Sequence, residues 1–276
     1  MTVRTIGSRI AVAAGALAAV TTLAAAPAAA QGRPPQPQGL SVTVGVAPIV
    51  APVYDGADEY AFSIFPDIRV AYGARFFGSV PEGFGYRVVN TRRWRAGPIA
   101  RLRFGRDEDS GGSPFLIAGE SDDLQGLGNV GVAVELGAFG ELSSGPWVWR
   151  GEMRQGVGAH DGLVGDVRLS RIQQFGKTTV IAGPSVSFGG GDFVNVYYGV
   201  DATQSAASGL RAFEGDGGLV SWGVGVTAVR PISERVTATF LAGYDRISGD
   251  AADSPIVADV GSRNQARVGF AFGYRF

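Results

Sequence analysis

The chain has 276 residues, with 43 glycines, 18% charged residues and no cysteine, so disulfides, thiolate catalysis and Cys-ligated metals are excluded. Lys and Arg number 24 against 25 Asp and Glu, a net charge of −1. No basic tract is present, which excludes the electrostatic footprint of a nucleic-acid binder, and the charge balance names no other partner.

The first segment has the form of a cleaved export signal spanning 1–30. Arg4 and Arg9 supply the positive start, Ile10 to Leu23 the apolar stretch, and Ala28-Ala29-Ala30 the small-residue cleavage site. A membrane anchor is the alternative, but the stretch is mostly alanine and Pro27 interrupts it, so it is a weak span. Removing it leaves 22 basic against 25 acidic residues. Residues 31–39 carry Pro34, Pro35 and Pro37 and read as an extended, flexible lead-in.

From residue 40 onward the chain alternates with the two-residue period of a strand. Val42, Val44 and Val46 alternate with Ser41, Thr43 and Gly45, and Phe62, Ile64 and Ile68 with Ser63, Asp67 and Arg69. Trp94, Ala96, Ala100 and Leu102 oppose Arg93, Arg95, Arg101 and Arg103; Val130 to Leu136 opposes Asn129, Gly131 and Glu135. Val194, Val196, Tyr198 and Val200 oppose Asn195 and Gly199, and Trp222 to Ala228 opposes Ser221 to Thr227. The last segment is the clearest: Val268, Phe270, Phe272, Tyr274 and Phe276 share one face, and Arg267, Gly269, Ala271, Gly273 and Arg275 the other.

One face is smooth and apolar with aromatic residues near the strand ends; the other carries Gly, Ser, Thr and charge. That pattern, in segments of about ten residues, marks a transmembrane β-barrel, and in lipid only a closed barrel satisfies the backbone of a sheet. A soluble sandwich also alternates, but these polar faces would make a poor water-exposed surface. The expected fold is therefore all-β, an antiparallel transmembrane barrel over 40–276 in contact with outer-membrane lipid. Thirteen segments are readable: 41–50, 60–72, 74–80, 84–90, 93–105, 128–142, 147–157, 163–173, 178–188, 193–200, 218–230, 235–247 and 264–276. Single-chain bacterial barrels use an even number. Merging 74–80 with 84–90 gives twelve strands, the expectation adopted, with ten or fourteen as alternatives.

The inward face is charged in rows. Arg93, Arg95, Arg101 and Arg103 lie on one strand, Glu135 and Glu141 on the next, Glu152 and Arg154 after it, then Asp166 and Arg168. Adjacent strands lie about 4.8 Å apart, close enough for Arg–carboxylate ladders. Such rows could line a lumen selecting small solutes, or fill a narrow barrel; filling is favoured, since interiors of small barrels are commonly packed with side chains.

Three stretches, 106–127, 201–217 and 246–263, are too long for tight turns. The first is acidic and offers hard oxygen ligands, yet its spacing matches no calcium loop, so a solvated loop is expected. Its side of the membrane stays open at this point. His160 is the one histidine, in the glycine-rich turn 158–162, where an exposed polar residue is expected; any Ser–His–acid hydrolase would have to use it. No catalytic, metal or cofactor site is expected.

Four short segments follow in order: Ala51-Pro52-Val53-Tyr54-Asp55-Gly56, Leu124-Gln125-Gly126-Leu127-Gly128 running to Glu135-Leu136-Gly137, Tyr197-Tyr198-Gly199-Val200, and Asp253-Ser254-Pro255-Ile256-Val257. In this order and spacing they resemble the MipA/OmpV family of outer-membrane scaffold proteins. The resemblance implies a Gram-negative outer-membrane barrel that brings a murein lytic transglycosylase together with a murein synthase. Members of the family are also associated with small-solute entry and adhesion, so a narrow pore, or an adhesin acting through the long loops, is the alternative. The last strand similarly resembles the signal read by the barrel-assembly machinery, which makes Val268, Phe270, Phe272, Tyr274 and Phe276 candidate assembly residues.

Overall fold

The computed structural model describes residues 39–276 except 81 and 113. The expected leader at 1–30 and the lead-in, apart from Gly39, lie outside the described residues.

Strands follow in chain order: β1 (Leu40–Pro52), β2 (Tyr60–Tyr72), β3 (Phe76–Ser79), β4 (Gly83–Tyr86), β5 (Val89–Asn90), β6 (Trp94–Arg103) and β7 (Leu116–Ala118). Next come β8 (Ala133–Ser144), β9 (Trp147–Gly158), β10 (Leu163–Phe175) and β11 (Thr178–Gly190), then helices α1 (Gly191–Tyr198) and α2 (Ala202–Ser208). The chain finishes with β12 (Gly217–Pro231), β13 (Val236–Ile247), short helices α3 (Gly249–Asp253) and α4 (Pro255–Ala258), and β14 (Asn264–Arg275).

Twelve strands form one closed antiparallel barrel, each paired with its chain neighbours, while β5 and β7 are additions to β6 and β2. Closure is made by β1, where Val44 stands opposite Ile68 on β2 and Tyr274 on β14. The Phe276 amide donates to the Val42 carbonyl oxygen at 3.0 Å and extends the seam to the chain end.

Twelve is the expected count, but with different members. Residues 74–80 and 84–90 do not merge: β3 and β4 pair with each other as a short hairpin, Phe77 opposite Gly85. The expected strand 193–200 is instead helix α1. Its apolar residues serve both periods, and the buried set Phe193, Val194, Tyr197 and Tyr198 follows helical spacing. A short apolar run cannot be assigned from periodicity alone. The stretches expected as loops at 201–217 and 246–263 hold α2, α3 and α4; Asp201 starts α2 with a capping box, its carboxylate accepting from the Thr203 and Gln204 amides.

Proline positions show how the ladders are interrupted. Pro48 lies where the β1–β14 register skips from Val46 to Ile49, and Pro184 where the β10–β11 register skips from Ser185 to Ala182. Pro98 sits on β6 beside the break between β4 and β5. A residue with no N–H is tolerated in a sheet at such breaks.

The outward faces carry exposed Val44, Ile64, Leu102, Leu136, Val224, Phe270 and Phe272, with Trp147, Trp149 and Trp222 nearer strand ends. In water this surface would be unfavourable; against acyl chains it is matched. The barrel has two unlike ends. Turns such as Gly145 and Gly176, both at positive φ, join strands tightly at the same end of the barrel as Phe276. The opposite end carries the long connections, the extracellular side by the usual asymmetry of these barrels. Residues 106–127 belong to that end. There the buried apolar residues gather: Phe193, Val194, Tyr197, Ile247, Ala251 and Val257 form one cluster, and Val53, Tyr54, Leu124, Leu127, Val200 and Ile256 another. Gln265 ties this cap to the wall, accepting from the Gly56 amide at 3.1 Å and donating to the Ala57 carbonyl at 3.0 Å.

Candidate functional site: a charged network lining the lumen

The inward positions of β6, β8, β9 and β10 meet as one ionic network. Arg154 stands at its centre: Nε donates to Glu135 at 2.8 Å, and Nη1 and Nη2 donate to Glu152 and Asp166, each at 2.5 Å. Glu152 and Asp166 face each other directly in register. Two carboxylates so placed repel unless a cation lies between them, and Arg154 provides it.

Around this centre Arg103 donates to Glu135 at 2.5 Å and Arg101 pairs with Glu152 at 3.0 Å. Glu141 takes Arg95 at 2.9 Å, and Arg150 pairs with Glu152 at 2.7 Å. Ser187 donates to the second oxygen of Asp166 at 2.7 Å. Five guanidiniums thus hold four carboxylates, and Glu135 and Arg154 are each no more than 2% exposed. Between the levels of Glu135 and Glu141, Phe77 and Phe139 meet edge to face at 5.4 Å, with Arg150 over Phe139 at 4.7 Å. Apolar rings and ion pairs together line this wall of the lumen.

Of the residues expected to charge the lumen, Arg95, Arg101, Arg103, Glu135, Glu141, Glu152 and Asp166 are all brought into this network. Arg93 is not; it lies just before β6, exposed at the short-turn end. Arg168 faces a cavity of about 260 Å3 beside Ser185 and Ser187, exposed and without an ion pair among the described residues. A second cavity of about 350 Å3 lies between the network and the wall, reached by Arg101, Arg103, Arg106 and Phe65. In the final strand Val268, Phe270, Phe272, Tyr274 and Phe276 all point outward and exposed.

His160 corrects the expectation of an exposed turn residue. It is 2% exposed. Gly156 leaves the space its ring fills, since a Cβ there would collide with the imidazole. Phe193 and Tyr197 of α1 meet the ring edge to face at 5.4 and 5.6 Å, and Nε2 approaches Glu135 at 3.4 Å. Neither imidazole nitrogen makes a hydrogen bond among the described residues. Burial lowers the imidazole pKa, Glu135 opposes that shift and Arg103 adds to it. A turn rich in glycine hides this role, because the residues that bury His160 come from α1, more than thirty positions on.

The acidic stretch is used mostly to shape its own loop. Asp107 accepts from the Asp109 and Ser110 amides, and Glu108 from the amides of Gly126 and Gly128. Tyr54 donates to Asp123 at 3.0 Å, and burial raises the pKa of that phenol.

Comparison with known proteins gives one family match, to the model described as MltA-interacting protein MipA, over residues 44–276. Outer membrane protein OmpV of Vibrio cholerae is 26% identical over 203 residues, 73% of this chain and 70% of that protein. The putative outer membrane protein YiaT of Escherichia coli K12 is 29% identical over 97 residues, 35% of this chain; the match spans only 39% of YiaT. Among solved structures, an outer membrane channel from Pseudomonas putida F1 aligns over 91% of this chain and 100% of its own, at 14% identity and a TM-score of 0.43.

Proposed function

The chain belongs to the family of MltA-interacting protein MipA, and on that premise we propose that this outer-membrane barrel works as a scaffold, holding a murein lytic transglycosylase and a murein synthase together at the periplasmic face. One observation carries the reading beyond the family name. The Arg154-centred network lines the lumen over the neighbouring strands β6, β8, β9 and β10, and α1, α3 and the 106–127 loop pack at its extracellular end, which favours rigid surfaces over a path. A buried network of ion pairs is rigid, and a rigid support favours holding partners in fixed relation.

The test is photocrosslinking in cells from reactive residues placed at the short turns, at Gly145, Gly176 and Glu234. Capture of both murein enzymes is the expected result. Capture of neither from any of the three turns rejects the scaffold.

A narrow pore is the second reading, and Arg168 favours it as a lumen guanidinium without an ion pair among the described residues. It requires steady conductance from the purified barrel in planar bilayers, altered by Arg168→Ala. Silence in that assay excludes it.

A further inference from the structure

The barrel wall is incomplete over one stretch. Strands β3 and β4 have 4 residues each, while β2 beside them has 13 and β6 has 10. On β2 the β3 ladder ends at Arg69, with one further bond from the Val80 amide to the Ile68 carbonyl at 3.3 Å, and on β6 the β4 ladder ends at Ala100. Towards the extracellular side, β2 and β6 therefore part company, at the level of lipid-facing Ile64, Ile68 and Leu102. Such a gap would leave backbone N–H groups facing hydrocarbon, which is costly.

The chain resolves this in two ways. First, β7 folds back from the 106–127 loop and pairs with β2 at Phe62 and Ser63, while the Ile64 amide donates to the Phe115 carbonyl oxygen at 3.1 Å. The Phe115 ring then wedges between Phe65 and Phe104, at 5.0 and 5.2 Å. Second, Pro66 stands between Ile64 and Ile68, whose backbone groups point to this side of β2, the Ile64 amide to Phe115 and the Ile68 carbonyl to the Val80 amide. By the period of the strand Pro66 points there too, and it has no N–H to leave unpaired. Here the wall is closed by a ring and a three-residue strand rather than by continuous ladders.

Behind this patch lies the cavity of about 350 Å3, within the size range of small-molecule sites. Its wall side is apolar, with Phe65, Val80 and Phe104. Its lumen side holds Arg101, Arg103, Arg106 and Arg154 against the carboxylates of Asp55 and Glu135. Cations outnumber anions, and Glu135 is already held by two of them. Arg106 is 8% exposed; it donates to the Tyr197 carbonyl at 2.8 Å, and its Nε–H is buried without a partner among the described residues. An unpartnered buried guanidinium N–H calls for an acceptor, and an anionic oxygen is the strongest.

We propose that the stretch between β2 and β6, closed by the Phe115 ring and β7 in place of continuous ladders, is a side entrance from the outer leaflet, and that the cavity behind it binds an amphiphile with an acyl chain and an anionic headgroup. The chain lies against Phe65, Phe104 and Phe115, and the head reaches Arg101, Arg103 and Arg106. A carboxylate or a phosphate serves equally well, whether carried by a free fatty acid or by a membrane lipid. The site is independent of the scaffold reading, because nothing in it touches the periplasmic turns.

The experiment uses the full barrel in nanodiscs with three photoactivatable probes: a diazirine palmitic acid, a diazirine anionic phospholipid, and a diazirine hexadecanol of equal chain length. Saturable labelling of residues 102–106 and 114–118 by either anionic probe, but not by the alcohol, is expected. Which anionic probe labels identifies the source. Val80→Trp fills the cavity and removes the labelling; Arg106→Gln weakens it by about tenfold or more, as expected for one charge-assisted hydrogen bond. Heat-modifiable gel mobility confirms that each variant is a folded barrel, and Arg106→Gln carries the test if Val80→Trp does not fold. Equal labelling by hexadecanol, labelling that does not saturate, or labelling unchanged in Arg106→Gln overturns the proposal.

Discussion

Arg154 and Glu135 meet across β8 and β9, Nε to Oε2 at 2.8 Å, with both side chains about 1% exposed. The residues are diagonal rather than opposite: Arg154 stands across from Gly137, and only a glycine leaves room there for the neighbouring strand. Arg154 also separates Glu152 from Asp166, so removing it takes a partner from three acids at once: Glu135 keeps Arg103, Glu152 keeps Arg101 and Arg150, and Asp166 is left with Ser187 alone.

The first prediction follows from that count. Arg154→Met destabilises the barrel by about 3–5 kcal/mol, the usual cost of leaving buried charges unpaired. Arg154→Lys recovers part of the loss, since an ammonium lacks the planar fork that reaches all three acids. Urea unfolding followed by tryptophan fluorescence measures both.

Acid should loosen the cap through His160. Its imidazole is held below its ordinary value of about 6.5 by burial, with Glu135, Arg103, Asp161 and Tyr197 around it. A detached cap exposes a histidine that binds a proton near that value, whereas the docked one does not. As pH falls below about 6.5 towards the depressed value, the detached form gains protons and docking weakens. Hydrogen exchange at 191–198 should accelerate across this window, and His160→Phe should flatten the dependence. An unchanged pH profile in the variant refutes the role.

Gln265 gives a prediction separable from the network. Gln265→Leu removes the acceptor for the Gly56 amide and the donors to Ala57 and Ser262. Leaving buried backbone groups unpaired costs about 1–3 kcal/mol each. Faster exchange at 53–59 with unchanged exchange in β8 and β9 is expected.

At the other end, Phe276 is 78% exposed and meets Tyr274 edge to face at 5.0 Å. Deleting it removes little buried surface but takes away the final aromatic of β14. The fraction of barrel assembled in cells should fall several-fold, while the midpoint of thermal unfolding of purified barrel stays within about 2 °C, as for a surface change. A lowered midpoint with normal assembly would make Phe276 a structural residue instead.

Much of this fold was legible because lipid and lumen impose opposite chemistry on successive residues. Segments such as 264–276 and 235–247 alternate for their whole length and are strands where expected. The lumen rows follow the same rule: the charges of β6, at Arg95, Arg101 and Arg103, and of β9, at Arg150, Glu152 and Arg154, all fall on one face of their strand. Local pattern failed where tertiary packing decides. Val194, Val196 and Tyr198 alternate like a strand, yet the cap needs the face made by Phe193, Val194, Tyr197 and Tyr198. His160 is polar and set among glycines, and its burial depends on α1 arriving from later in the chain. The shortness of β3 and β4 left no sequence trace beyond Pro66, whose meaning emerges only once its missing N–H is seen to face a gap.

The seam between β1 and β14 joins the first and last strands of the barrel, with Val44 opposite Tyr274 and Val46 opposite Phe272. Every other barrel ladder links barrel strands that are neighbours in chain order, across a tight turn or one of the long extracellular connections, so each closes a far shorter loop at smaller entropic cost. The seam alone must bring the two most distant strands together, and loop entropy makes it the slowest contact to gain. Until it forms, the sheet has two free edges in a solvent that cannot satisfy them. The barrel is therefore at its most vulnerable to mispairing in the moment before it closes, when strand order is already settled but the ring is not.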